Sequence, residues 1–137
     1  MVHLKGATGS NAYKIDGLYV PTEELVGNAS VYRKVGDDDV WISYHVQSRK
    51  WILGSTENKG TGGGCAFAEI YPPRPLEDCP IDCWEMYVPE SKEWVKQPTM
   101  TVSVTTLAVF EAYEASQVRS SEILFRLLIL FARESVL

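Results

Sequence analysis

The side chains best suited to chemistry in this chain are few. Outside the hydroxyls, the candidate bases, nucleophiles and soft metal ligands are His3, His45, Cys65, Cys79 and Cys83. His45 could act as a general base toward Cys65 or a serine. Nothing in the spacing brings these groups together, so a strand histidine with a satisfied hydrogen bond is the plainer expectation. The Cys79-x3-Cys83 spacing lacks the further ligands that a zinc site needs. A Cys65–Cys79 or Cys65–Cys83 bridge stays open, and reduced, buried thiols are preferred.

Asp37, Asp38 and Asp39 could face a hard cation. Consecutive acids on a tight turn rarely converge on one ion, and the alternating acids of a calcium loop are missing. A solvated turn is expected. The stretch "GSTENKGTGGG" invites a phosphate-loop interpretation, but Lys59 is followed by Gly60 rather than Ser or Thr. A flexible hairpin loop is expected instead. No catalytic residue, metal or cofactor is therefore assigned, and the chain is expected not to be an enzyme.

The aromatic residues form the densest pattern. Trp41, Tyr44 and Trp51 align without a gap on Trp84, Tyr87 and Trp94, and both copies read W-x-x-Y-x6-W-[IV]. A repeated hairpin explains the match, with cross-strand aromatic clusters in each copy. These six residues could line a sugar- or peptide-stacking platform, but core and cross-strand packing is the preferred role. His45 has Val88 as its counterpart.

The elements that carry these residues are mostly strands. Short β-type runs begin at Tyr13 and are broken by turn residues: "GDDD", "QSR", "ENKGTGGG", "PPRPLEDCPID" and "PESK". In "VWISYHV", Ile42 and Tyr44 share the more apolar face, which leaves Trp41 on the less buried one. The expected fold is mainly β, an antiparallel hairpin-built barrel or sandwich of about eight short strands with a C-terminal helical tail. Residues 1–12 are expected to be a flexible arm, 13–104 the β domain and 105–137 the helical segment or segments.

In the tail, Thr105 or Thr106 is a candidate helix cap, and Ser120 or Ser121 a candidate cap for a second helix. The run from Ile123 to Phe131 is apolar nearly all round, with only Arg126 interrupting it. A helix apolar on every side needs cover on every side. The run is half of what spans a bilayer, so no transmembrane span is expected.

The length of 137 residues suits one domain. A net charge of −5 without a basic run argues against nucleic-acid binding. "MVHLKGATGSN" lacks the charged-then-apolar pattern of a signal peptide, so an intracellular location is favoured, and Asn28-Ala29-Ser30 is taken as a turn.

Through "DGLYVPTEEL", "SVYRKVGDDDVWISY", "KWILGSTENKG" and "WEMYV…EWV", the chain resembles uncharacterised β-rich modules that recur in large proteins of algae and other protists. The resemblance covers roughly Gly6 to Val102. It implies a stand-alone interaction module and brings no active site with it. The expected function is a non-enzymatic interaction or assembly module. It would dock a protein partner or its own copy through Leu124, Phe125, Leu127, Leu128 and Phe131. The alternative is a small-ligand or carbohydrate-binding domain using exposed Trp and Tyr.

Overall fold

A computed structural model describes residues 1–134 of the chain. It is mainly β, with one antiparallel sheet of nine strands and a C-terminal helix. Met1–Thr105 form one compact unit, and the helix belongs to a second that begins at Thr106.

The strands are β1 (Val2–Lys5), β2 (Gly17–Val26), β3 (Ala29–Lys34), β4 (Trp41–His45) and β5 (Lys50–Gly54). They continue with β6 (Ala66–Glu69), β7 (Trp84–Val88), β8 (Glu93–Lys96) and β9 (Thr101–Val104). A one-turn helix, α1 (Ala12–Ile15), joins β1 to β2, and the long helix is α2 (Leu107–Glu134). The β-type runs expected from Gly17 onward appear as β2 to β9, with "GLYVP" and the residues after it joined in the one long strand β2.

The ninth strand is a correction to the expected N-terminal arm. Val2, His3 and Leu4 are buried in β1, which pairs with β2 on one side and β9 on the other. The run is short and bordered by small polar residues, so its own periodicity is too brief to announce a strand.

The sheet order is β8-β7-β6-β5-β4-β3-β2-β1-β9. β8 and β9 are thus opposite edges of the sheet, yet only residues 97–100 separate them in the chain. That link holds only if the sheet curls, and the result is a half-barrel rather than a two-sheet sandwich.

Gln97 fastens the junction. Its side chain is buried, and its Oε1 accepts the Thr8 N–H at 2.9 Å and the Thr8 hydroxyl at 3.0 Å. The Thr99 hydroxyl donates to the Gly6 carbonyl at 2.6 Å. Gly6 has φ +89°, and a Cβ there would meet the Thr99 carbonyl oxygen at 1.9 Å, so only glycine fits.

Alternation sorts the side chains as the pleat requires. Leu4, Tyr19, Ile42, Tyr44, Trp51, Leu53, Ala66, Trp84 and Met86 belong to the core on the concave face. The Tyr19 hydroxyl donates to the Ile15 carbonyl at 2.6 Å, which ties α1 across the core. The Lys34 ammonium donates to the carbonyls of Tyr13 and Lys14 at the end of α1. Gly27 (φ +60°) and Asn28 (φ +61°) make the tight turn between β2 and β3, where two left-handed residues match the twist of the hairpin.

The described part of the second unit is one helix, not two. The Thr106 hydroxyl accepts the Val109 N–H at 3.3 Å, as the expected cap does. Ser120 and Ser121 do not cap a new helix. Their hydroxyls donate back to the carbonyls of Ser116 and Gln117, each at 3.0 Å, so the serines are absorbed within α2.

Candidate functional site

The two aromatic hairpins share one construction. β4–β5 turns through residues 46–49 and β7–β8 through residues 89–92. Each turn ends on a left-handed residue, Arg49 at φ +59° and Lys92 at φ +56°. In each, the Tyr lies directly opposite the second Trp: Tyr44 opposite Trp51, and Tyr87 opposite Trp94.

The two pairs are used in opposite senses. Tyr44 and Trp51 point into the concave core, with ring centroids 5.3 Å apart. Tyr87 and Trp94, 5.5 Å apart, lie on the convex face, where Trp94 is 45% exposed and also packs on Phe67 at 5.0 Å. The leading tryptophans are inverted as well: Trp84 is fully buried, while Trp41 is half-exposed on the convex side, as its alternation predicts. The six aromatics are therefore divided between both faces of the sheet and make no single platform.

The concave pair borders a cavity of about 400 Å³, lined by Tyr32, Tyr44, Trp51, Arg74 and Glu77 among others. The proline-rich segment forms one wall. The Trp51 indole N–H donates to the Arg74 carbonyl at 2.9 Å, and the Tyr44 hydroxyl donates to the Ile70 carbonyl at 3.4 Å. Burial pushes the Tyr32 hydroxyl up from its ordinary value, and the Glu77 carboxylate adds to that. Tyr32, Arg74 and Glu77 were not legible as lining residues, although aromatics followed by "PPRP" were the available signal.

On the convex face, Trp94 and Phe67 line a second cavity of about 390 Å³ with Lys50, Glu85 and the backbone of Gly62–Gly64. The Lys50 ammonium sits 4.0 Å over the Phe67 ring. Near the other end, the Lys59 ammonium sits 3.9 Å over the Trp41 ring and pairs with Glu24 at 2.8 Å. The lysine of the glycine-rich loop thus packs on an aromatic face and a carboxylate.

His45 finds its serine within its own turn. Its Nδ1 is 2.7 Å from the Ser48 hydroxyl and accepts the Ser48 N–H at 3.3 Å. A Cβ at Gly62 would fall 2.9 Å from Cε1, 3.0 Å from Nε2 and 3.3 Å from Nδ1, so the glycine loop packs over the ring. Cys65 borders a separate cavity with Lys14 and Asp39, and burial pushes its thiol up. The arrangement braces a turn: His45 and Ser48 bond to each other, and the glycine loop covers the ring.

The aspartates are also occupied locally. Asp37 accepts the Asp39 N–H at 3.1 Å, and Asp39 accepts the Thr56 N–H at 3.0 Å, which holds the Asp39 carboxyl below its ordinary value. Among the described residues no group of three or more His, Cys, Asp or Glu side chains is placed to hold a metal ion.

All three cysteines are free thiols. Cys79 donates to the Cys83 sulfur, which pulls the Cys83 thiol below its ordinary value and pushes Cys79 up. The close thiol pair is Cys79–Cys83, not either bridge to Cys65.

In α2, the side chains of Leu124, Phe125, Leu127, Leu128 and Phe131 are 59%, 64%, 48%, 59% and 69% exposed. No described helix is long and apolar enough to cross a membrane. No family model matches the chain, and no curated protein or solved structure matches it either.

Proposed function

We propose that the protein is a non-enzymatic interaction or assembly module that docks through the apolar part of α2. The observation that carries this is the solvent exposure of five large apolar side chains, Leu124, Phe125, Leu127, Leu128 and Phe131, within two turns of helix. Exposed apolar surface of this density is costly in water and marks contact surfaces. The β unit supplies a rigid body, fastened at its seam by Gln97. Its resemblance to recurring protist modules fits the same role.

The test replaces Leu124, Leu127, Leu128 and Phe131 together by Gln in the full chain. The unaltered protein should scatter light as an assembly or bind an anilinonaphthalene sulfonate dye. The variant should do neither while unfolding at the same temperature. Equal scattering, dye binding and stability in both would remove the basis for docking.

A second proposal, of a small-ligand site, is favoured by the cavity of about 400 Å³ between Tyr44, Trp51 and Arg74. Tryptophan fluorescence across a glycan and metabolite panel tests it, and a flat response would count against it.

A further inference from the structure

α2 carries a finer pattern than apolarity. From Gln117 the residues at alternating steps of three and four are Ser120, Leu124, Leu127 and Phe131. The same steps run back to Tyr113 and Phe110. This is the spacing at which one stripe of a helix stays against a supercoiled neighbour.

No charged residue falls on the stripe. Arg119, Arg126 and Arg133 are seven apart and follow the opposite side, where Glu122 also lies. Between Gln117 and Phe131 the positions bordering the stripe are Ser116, Ser121, Ile123, Leu128 and Leu130, all without charge, whereas Glu114 borders the earlier part beside Tyr113. Charges at such borders choose between partners. Along Gln117–Phe131 no border charge repels an identical helix or selects a different one.

We infer that the occupant of this surface is a second copy of the chain, paired in parallel and in register along Gln117–Phe131. The inference rests on the docking proposal above and names its partner. In register, leucine meets leucine at 124 and 127, and phenylalanine meets phenylalanine at 131. Gln117 meets its own copy, and one amide's N–H donors suit the other's carbonyl acceptor. Ser120 brings no unsatisfied hydroxyl, because it already donates to Ser116 within its helix. An antiparallel pair would either set Gln117 against a leucine or leave Phe131 without an apolar counterpart. Phe125 falls outside the stripe and stays at the surface of the pair.

Sedimentation equilibrium on the full chain tests the inference. The expected mass is twice 15.4 kDa. Leu124→Asn, on the stripe, should weaken the dimer about a hundredfold, because each copy loses a buried leucine. Phe125→Asn, one residue away, should change its dissociation constant by less than about threefold. Under mild oxidation, Gln117→Cys should cross-link to its own copy, as read by peptide mass. Equal weakening by the two asparagine variants, or a dimer without the 117–117 link, overturns the pairing. So does a monomer. A monomer whose dye binding is lost in the four-site variant overturns only the pairing, whereas one with unchanged dye binding overturns docking as well.

Discussion

Replacing Gln97 by Met tests whether the curled sheet is fastened where its edges meet. Methionine keeps the length of the side chain and removes its hydrogen-bonding groups. Gln97 is 1% exposed, and its Oε1 accepts both the N–H and the hydroxyl of Thr8. The Thr8 hydroxyl can turn to water, because Thr8 is itself exposed. Its N–H is the dearer loss, since it is directed at the buried amide. An unmade bond to a partly enclosed donor costs about 1–2 kcal/mol, at the lower end of the range for fully buried groups. For a unit of this size that corresponds to a fall in melting temperature of about 5–10 °C. Urea unfolding followed by tryptophan fluorescence should show an earlier midpoint with an unchanged slope. Thr8→Ala removes only the hydroxyl bond and should cost less than half as much. If Gln97→Met shifts stability by less than about 0.3 kcal/mol, or by no more than Thr8→Ala does, the fastening role is wrong.

Three further outcomes follow from the same contacts. The Trp84 indole N–H is buried without a hydrogen-bond partner among the described residues, whereas that of Trp51 donates to Arg74; Trp84→Phe should therefore destabilise by about 1 kcal/mol less than Trp51→Phe in urea titrations. Burial raises the Asp16 carboxyl above its ordinary 3.8, although bonds from the Ala7 and Gly6 N–H groups oppose it. The folded state thus holds this proton more tightly than the unfolded state does, so Asp16 contributes stability below 3.8 that is lost as pH rises through the folded value. Asp16→Asn should remove that fall, seen as a flatter difference in unfolding midpoint between about pH 3.5 and 6. Cys83, lowered by the Cys79 thiol, should be alkylated by iodoacetamide before Cys79, which the same contact raises and which is equally half-buried; peptide mapping after a short exposure near neutral pH checks the order.

Local alternation located the strands because each period is read within a single run, and the β2–β3, β4–β5 and β7–β8 partners follow after short turns. β1 escaped because its second partner, β9, lies at the far end of the β unit and "VHLK" is too short to show a period by itself. The concave role of Ile42 and Tyr44 was legible in "VWISYHV", where one face is plainly more apolar. The opposed use of Tyr87 and Trp94 was not. W-x-x-Y always places its two aromatics on opposite faces, so the pattern is satisfied equally well by either orientation of the hairpin. Only the surrounding sheet decides which ring is inside. The unbroken α2 was missed for a related reason: a serine before an acidic residue resembles a helix start, and only its bond to the preceding turn shows otherwise. Arg74 and Glu77 reach the aromatic cavity through the path of a proline-rich segment, which has no period to read.

The sheet order also sets a timetable for assembly. As the chain lengthens, β2 through β8 can each be added beside the strand just made, through local connections of which the longest is residues 70–83. β9 breaks that sequence. It must travel to the oldest strand and pair residue 104 with residue 2. Closing so long a loop carries the largest entropic cost in the fold, so this pairing should form last and be the first to open. Until it forms, β1 presents an unpaired edge of the kind that recruits other chains. The residues at the junction, Gln97 and Gly6, thus govern how long a nearly finished molecule stays exposed to misassembly.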